Sequence, residues 1–180
     1  MPKFHILDRK ILFDHPKAQI VIDKIEHQGN SKDYFYLTSP VDAVATVGLT
    51  NKYKVIVTRQ YRHPIGKTIL DLPAGRLNPG ELPIDGARRE FEEETGFYPN
   101  HIEQIGYYNQ FPGTIRAATN LFFASDLEAT QQNLDEGENL EIVLISPKVL
   151  LDMILNGEMV DGSIQIGLLL AIQKGLISIH

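Results

Sequence analysis

Three glutamates, Glu90, Glu93 and Glu94, stand together in the run Arg89-Glu-Phe-Glu-Glu-Glu-Thr-Gly-Phe97. On a helix the spacing i, i+3, i+4 sets them on one face, beside an apolar stripe of Ile84, Ala87 and Phe91 that can dock on a sheet. Such an arrangement is costly. Glu90 and Glu94 form a like-charge i, i+4 pair, worth roughly 0.2 to 0.5 kcal/mol of destabilisation. Both also crowd the C-terminal half of the helix, where the backbone dipole repels anions. Arg89 stands i, i+4 to Glu93, and Arg88 to Glu92, which makes Glu92 a surface ion-pair residue. Glu90 and Glu94 have no such helical partner, so a cation is expected. Clustered carboxylates without His or Cys suit a hard ion, Mg2+ with Mn2+ as a substitute, held by a few carboxylates together with substrate phosphates. An isolated run of glutamates would be read as a solvated acidic face, but this one is bracketed at fixed offsets by Gly75, Glu81 and Gly96.

Each bracket has a mechanical reading. Gly75 allows either a close approach of the backbone to a ligand or a positive φ. Gly96 fits the left-handed cap just past a helix end, with Phe97 able to pack back on Phe91. Glu81 precedes the first turn and can accept orphan amide hydrogens of the helix, a structural role that ranks ahead of metal binding.

The elements that must hold these residues follow from periodicity and turn signals. A helix is predicted over 83–95, with proline in its first turn, after a Gly/Pro loop over 73–82. Strands are predicted over 41–47, 53–58, 69–72, 102–108, 120–125 and 140–145, and further helices over 147–155 and 163–174. Strands with helices before and after them imply an α+β chain, a mixed sheet sandwiched between helices. Residues 1–40 read as a strand-rich, peripheral extension, clearest over 19–25 and 34–37, ahead of a main domain over 41–180.

From Gly75 through Glu81, Arg89-Glu90, Glu93-Glu94 and Gly96-Phe97, the spacing resembles the Nudix box at every defining position. The resemblance implies the family's α/β/α sandwich and a metal-dependent hydrolysis of a diphosphate bond. It also implies that Glu90, Glu93 and Glu94 are metal ligands, that the backbone carbonyl of Ala74 adds another, and that Arg89 orients Glu93. A general base would then be Glu93 or Glu94, or Glu138 in the acidic loop before the strand at 140.

The stretch from Tyr53 to Arg62, followed by Leu70-Asp-Leu-Pro-Ala-Gly75, looks like the ADP-ribose and ADP-sugar pyrophosphatase branch. In that branch the arginine in the position of Arg62 contacts the diphosphate. Arg59 is the weaker candidate, because strand alternation puts it on the opposite face. Pro112 also fits the branch. The loop after it, Thr114 to Asn120, lacks the carboxylate that many members carry there and offers Arg116 as a phosphate ligand instead. The expected substrate is a nucleoside diphosphate sugar, ADP-ribose foremost, giving AMP and ribose 5-phosphate. Alternatives are a GDP-sugar, a dinucleoside polyphosphate, a nucleoside triphosphate, or a non-catalytic nucleotide-binding module. Because the N-terminal strands resemble the part that dimerises in this branch, a homodimer is expected.

Composition narrows the remaining classes. A chain of 180 residues, 43% of them hydrophobic, can close one sizeable core. A formal charge of -6 disfavours a protein that coats nucleic acid or an anionic membrane. Cysteine is absent, which excludes disulfide and thiolate chemistry, and the six histidines show no ligand spacing. The opening Met1-Pro-Lys-Phe-His5 lacks the apolar run of a signal peptide, and no apolar run is long enough to span a bilayer, so the cytoplasm is the expected address.

Overall fold

The computed structural model describes residues 4–135 and 137–179. Among these residues the order is β1 (His5–His15), β2 (Ala18–His27), β3 (Asn30–Thr38), β4 (Ala43–Leu49), β5 (Val55–Arg62), β6 (Lys67–Asp71), β7 (Ala74–Arg76), α1 (Pro83–Thr95), β8 (Phe97–Asn109), β9 (Ile115–Arg116), β10 (Ala118–Ala129), β11 (Leu140–Ile145), α2 (Pro147–Leu155) and α3 (Gly162–Gln173). Two compact units are formed, one within residues 1–42 and 109–118, the other within 43–108 and 119–180.

In the larger unit, alternation along three strands sends side chains to both faces of one sheet, ordered β11-β5-β4-β10-β8. Ala45, Val47, Val55, Val57, Leu121 and Phe123 meet Leu150, Ile164 and Leu168 of α2 and α3 on one face. Their strand neighbours Val44, Ile56, Phe122 and Ala124 meet Ala87 and Phe91 of α1 on the other. Helices on both faces of a mixed sheet make the α/β/α sandwich: β10 runs parallel to β4, and β5 antiparallel to it.

Helix α1 lies close because residue 48 is glycine. A Cβ there would overlap the Cζ and Cε2 ring carbons of Phe91, a side chain with no exposed surface. Gly48→Ala is therefore expected to destabilise the fold by about 1 to 3 kcal/mol through overpacking. Equilibrium urea unfolding reads this, and a midpoint equal to that of the parent chain would show that α1 shifts without cost.

The smaller unit is a sheet ordered β1-β2-β3-β9. Its β2–β3 hairpin turns on Gln28 and Gly29, with φ of 51° and 79°, the pair of positive values that a two-residue primed turn requires. Arg9 of β1 holds Asp23 of β2 through Nε–Oδ1 at 2.6 Å and Nη2–Oδ2 at 2.8 Å, and the Tyr36 hydroxyl donates to the same carboxylate at 3.2 Å. Two short strands fall where the sequence predicts loops. β7 pairs with β4, and β9 pairs in parallel with Leu37 and Thr38 of β3. Two or three residues are too few to show a period of two, and their partners lie far away in sequence. No helix among the described residues is long and apolar enough to cross a membrane.

Candidate active site

Helix α1 runs from Pro83 to Thr95 and is capped by Gly96, whose φ of 68° is left-handed and whose N–H donates to Glu92 O at 2.8 Å. The two carbonyls that follow are answered by the segment after β10. Asn133 N donates to Glu93 O at 2.8 Å, and the Gln132 side-chain amide donates to Glu94 O at 2.7 Å. These donors offset the negative end of the helix, so the carboxylates are tolerated there.

The buried stripe of α1 differs from the predicted one. Ala87 and Phe91 are fully buried, but Ile84 is 39% exposed and lies off the stripe. The next position along it, i+7 from Ala87, is Glu94, which is 6% exposed. A carboxylate therefore occupies a core position. Its one direct partner among the described residues is the backbone N–H of Ala74, at 2.9 Å. Burial pushes Glu94 up to about 8, against that hydrogen bond and with added repulsion from Glu90, Glu138 and Asp71. Glu90 is also raised by burial, against the pull of Arg89 and with Glu93 and Glu138 adding to it.

Arg89 is the hub of the site. Its Nε and Nη2 each meet one oxygen of Glu81 at 2.8 Å, while Nη1 reaches Glu90 at 2.8 Å and Glu93 at 3.1 Å, and Nη2 also donates to Arg76 O at 3.2 Å. This corrects two expectations. Glu90 does have a cationic partner, the adjacent Arg89, so the lack of i, i+4 pairing does not leave it alone. Glu81 does not cap the helix amides; it takes the fork of Arg89 and the N–H of Asn78 at 2.8 Å. Arg88, expected to pair with Glu92, lies 3.8 Å from Asp85 and over the Tyr98 ring.

The Arg89 hydrogen bonds pull Glu81 down to about 2 from its ordinary 4.5, with burial opposing and Asn78 assisting. The folded form therefore prefers ionised Glu81. Its contribution to stability is complete above about pH 4.5 and is lost as pH falls towards 2. Glu81→Gln should flatten the fall in melting temperature across that window, and an unchanged acid branch would exclude Glu81 from acid unfolding.

Gly75 does not use positive φ. It is paired to Val44 in the β4–β7 ladder, and a Cβ on it would overlap the carboxylate atoms of Glu90. Of the two predicted roles, close approach is the one found, and the neighbour is a carboxylate of the site.

Arg89 joins Glu81, Glu90 and Glu93 by hydrogen bonds, while Glu94 is tied to Ala74 N–H and feels the charge of Glu90. Glu138, in the loop before β11, lies close enough for its charge to act on Glu90 and Glu94. Arg62 is held by Asp71, whose charge also reaches Glu94. Arg59 is paired with Glu141 of β11 at 2.8 Å. Arg116 belongs to the smaller unit, where its charge helps to lower Asp23. Sequence reasoning assigns no role to Asp71; the signal it offers is a carboxylate between the apolar Leu70 and Leu72.

Two desolvated, mutually repelling carboxylates with hard oxygen donors suit a small divalent cation. Among the described residues no three acidic or imidazole groups close on a point, but Mg2+ needs only one or two carboxylates beside water and substrate phosphates.

A NUDIX domain model matches residues 39–163. The chain is 33% identical over 152 residues to the ADP-ribose pyrophosphatase of Bacillus subtilis, across 83% of this chain and 82% of that one. It is 30% identical over 134 residues to the methanol dehydrogenase activator of Bacillus methanolicus, across 73% and 72%. A crystal structure of an ADP compounds hydrolase superposes with a TM-score of 0.86 at 22% identity, covering 97% and 96% of the two chains. The sandwich and its carboxylate helix are thus those of the Nudix family, to which this chain belongs. It is a Nudix hydrolase with ADP-ribose and ADP-sugar pyrophosphatases among its relatives. Enzymes of this family generally use divalent metal ions.

Proposed function

We propose that this enzyme hydrolyses the diphosphate bond of a nucleoside diphosphate sugar, ADP-ribose in particular, giving AMP and ribose 5-phosphate. The observation that carries the reading is Glu94, a carboxylate at a core position of α1 beside Glu90, raised by burial and by that neighbour. The Bacillus subtilis relative, an ADP-ribose pyrophosphatase, supports the choice of substrate. Glu90, Glu93, Glu94 and the carbonyl of Ala74 would hold Mg2+ or Mn2+. Such an ion supplies an activated water and neutralises charge on the phosphate oxygens.

The side chains of the site divide the remaining work. Glu81 fixes the fork of Arg89, and Arg89 in turn fixes Glu93 in one orientation. Glu93 or Glu138 takes the proton of the attacking water, being less buried than Glu94. Arg62 donates to the diphosphate through the guanidinium edge that Asp71 leaves free. Arg59, tied to Glu141, has no part in this reading.

The enzyme would act in the cytoplasm as a homodimer built on the smaller unit. Its outer strand β1 leaves Ile6, Leu7, Ile11, Leu12 and Phe13 each more than half exposed. Sedimentation velocity at micromolar concentration should give the mass of two chains, and a single-chain mass would refute the dimer.

The decisive experiment is product release from ADP-ribose, other nucleotide sugars, dinucleoside polyphosphates and nucleoside triphosphates, with Mg2+ and with chelator. AMP and ribose 5-phosphate should appear from ADP-ribose ahead of the others, and only with metal. A faster reaction with another substrate would overturn the choice of ADP-ribose. If no substrate is cleaved, the hydrolytic reading itself fails.

A further inference from the structure

Asp71 closes β6 with 3% of its surface exposed, and the β5–β6 register puts it opposite Thr58, on the strand face that also carries Gln60 and Arg62. Two donors of Arg62 converge on one of its oxygens: Nε lies 3.1 Å from Oδ2, and Nη2 bonds the same atom. The Arg62 side chain stays 41% exposed. The carboxyl of Asp161, which caps α3 by accepting from Ile164 N at 3.1 Å, lies near enough for its charge to act on Asp71. A nearly buried anion thus grips one edge of a half-exposed guanidinium, while a second carboxyl from another element presses on that anion.

We propose that Asp71 is the positioning residue for Arg62, fixing its guanidinium for the substrate's diphosphate. This rests on the reading of Arg62 as a diphosphate ligand. A buried salt bridge is a poor source of stability but a good source of fixed geometry, because an unpaired Asp71 would be costly. The charged groups around Asp71 are Arg62 from β5, Asp161 ahead of α3 and Glu94 from α1. Burial and then Asp161 push Asp71 up to about 6, and Arg62 opposes them. Above that pH Asp71 is ionised and holds the guanidinium by charge. Below it the hold weakens, and KM should rise as pH falls through about 6.

The test is steady-state hydrolysis of ADP-ribose with Mg2+ by D71N, R62A, the double variant and D161N, with thermal melts alongside. R62A should raise KM about ten-fold or more, the range of one lost charged hydrogen bond. D71N should raise KM with a smaller effect on kcat, and should add nothing to R62A in the double variant. D161N keeps the helix cap but removes the charge beside Asp71, so the acid rise in KM should move to lower pH. An unchanged KM in D71N with a raised KM in R62A overturns the positioning role and leaves Arg62 a ligand. If instead R62A keeps the parental KM, the diphosphate reading of Arg62 falls and takes the proposal with it. Multiplying effects in the double variant show independent residues and overturn it. Should D71N fail to fold, an unmoved KM–pH curve in D161N overturns it.

Discussion

Glu93→Gln is expected to lower kcat by about two to four orders of magnitude, the range that loss of a general base or a metal carboxylate commands, while the melting temperature barely moves. Glu93 sits at the rim of the group, with 36% of its side chain exposed, and its contact to Arg89 at 3.1 Å is one of several that the guanidinium makes. Glutamine keeps the size and can still accept that hydrogen bond. What disappears is the charge. Arg89 remains anchored by both oxygens of Glu81, so the hub should survive. Glu92→Gln is the matched control. Its carbonyl caps Gly96 whatever the side chain, and that side chain has no ion pair among the described residues. The control should keep activity within about two-fold, as surface substitutions away from a site do. Near-parental turnover in Glu93→Gln would remove this residue from the mechanism, and a large loss in Glu92→Gln would put the chemistry on the other side of α1.

That the pair can be chosen at all reflects how much of α1 is legible in its sequence. Proline at the first turn and glycine past the last bound the helix at Pro83 and Thr95, as found. Alternation in β4, β5 and β10 likewise gives both faces of the sheet. Pairing is less visible. The glutamate at 81 looks like a helix-terminus residue by position, and only the folded chain brings Arg89, eight residues on, to its carboxylate. Asp71 and Asp161 lie far apart in sequence, so no local spacing predicts that the charge of one acts on the other. The burial of Glu94 follows from the stripe once Ile84 is removed from it. An apolar side chain at the start of the helix is a weaker guide to the docked face than the fully buried Ala87 and Phe91.

Gly75→Ala should lower catalysis and, unlike the charge substitution, also stability, although it removes no functional group. Residue 75 lies in β7, paired with Val44, and an ordinary residue can adopt that backbone; the conflict is in space. A methyl group would overlap the carboxylate of Glu90, which is the far end of a flexible side chain and can swing aside. The swing costs the 2.8 Å bond to Arg89 and moves a carboxylate that is only 17% exposed, so a loss of about 1 to 2 kcal/mol in stability is expected. Catalysis should suffer far more. A carboxylate displaced by an ångström or more no longer converges with Glu94, and misplacement of that size costs about a hundred-fold in rate. Calorimetry and kcat measured on the same preparation distinguish the two effects. If Gly75→Ala keeps parental turnover, Glu90 works from another position and the close approach at Gly75 has no catalytic purpose. If the chain fails to fold, Glu90 is locked in place, and Gly75→Ser at the same site should fail with it.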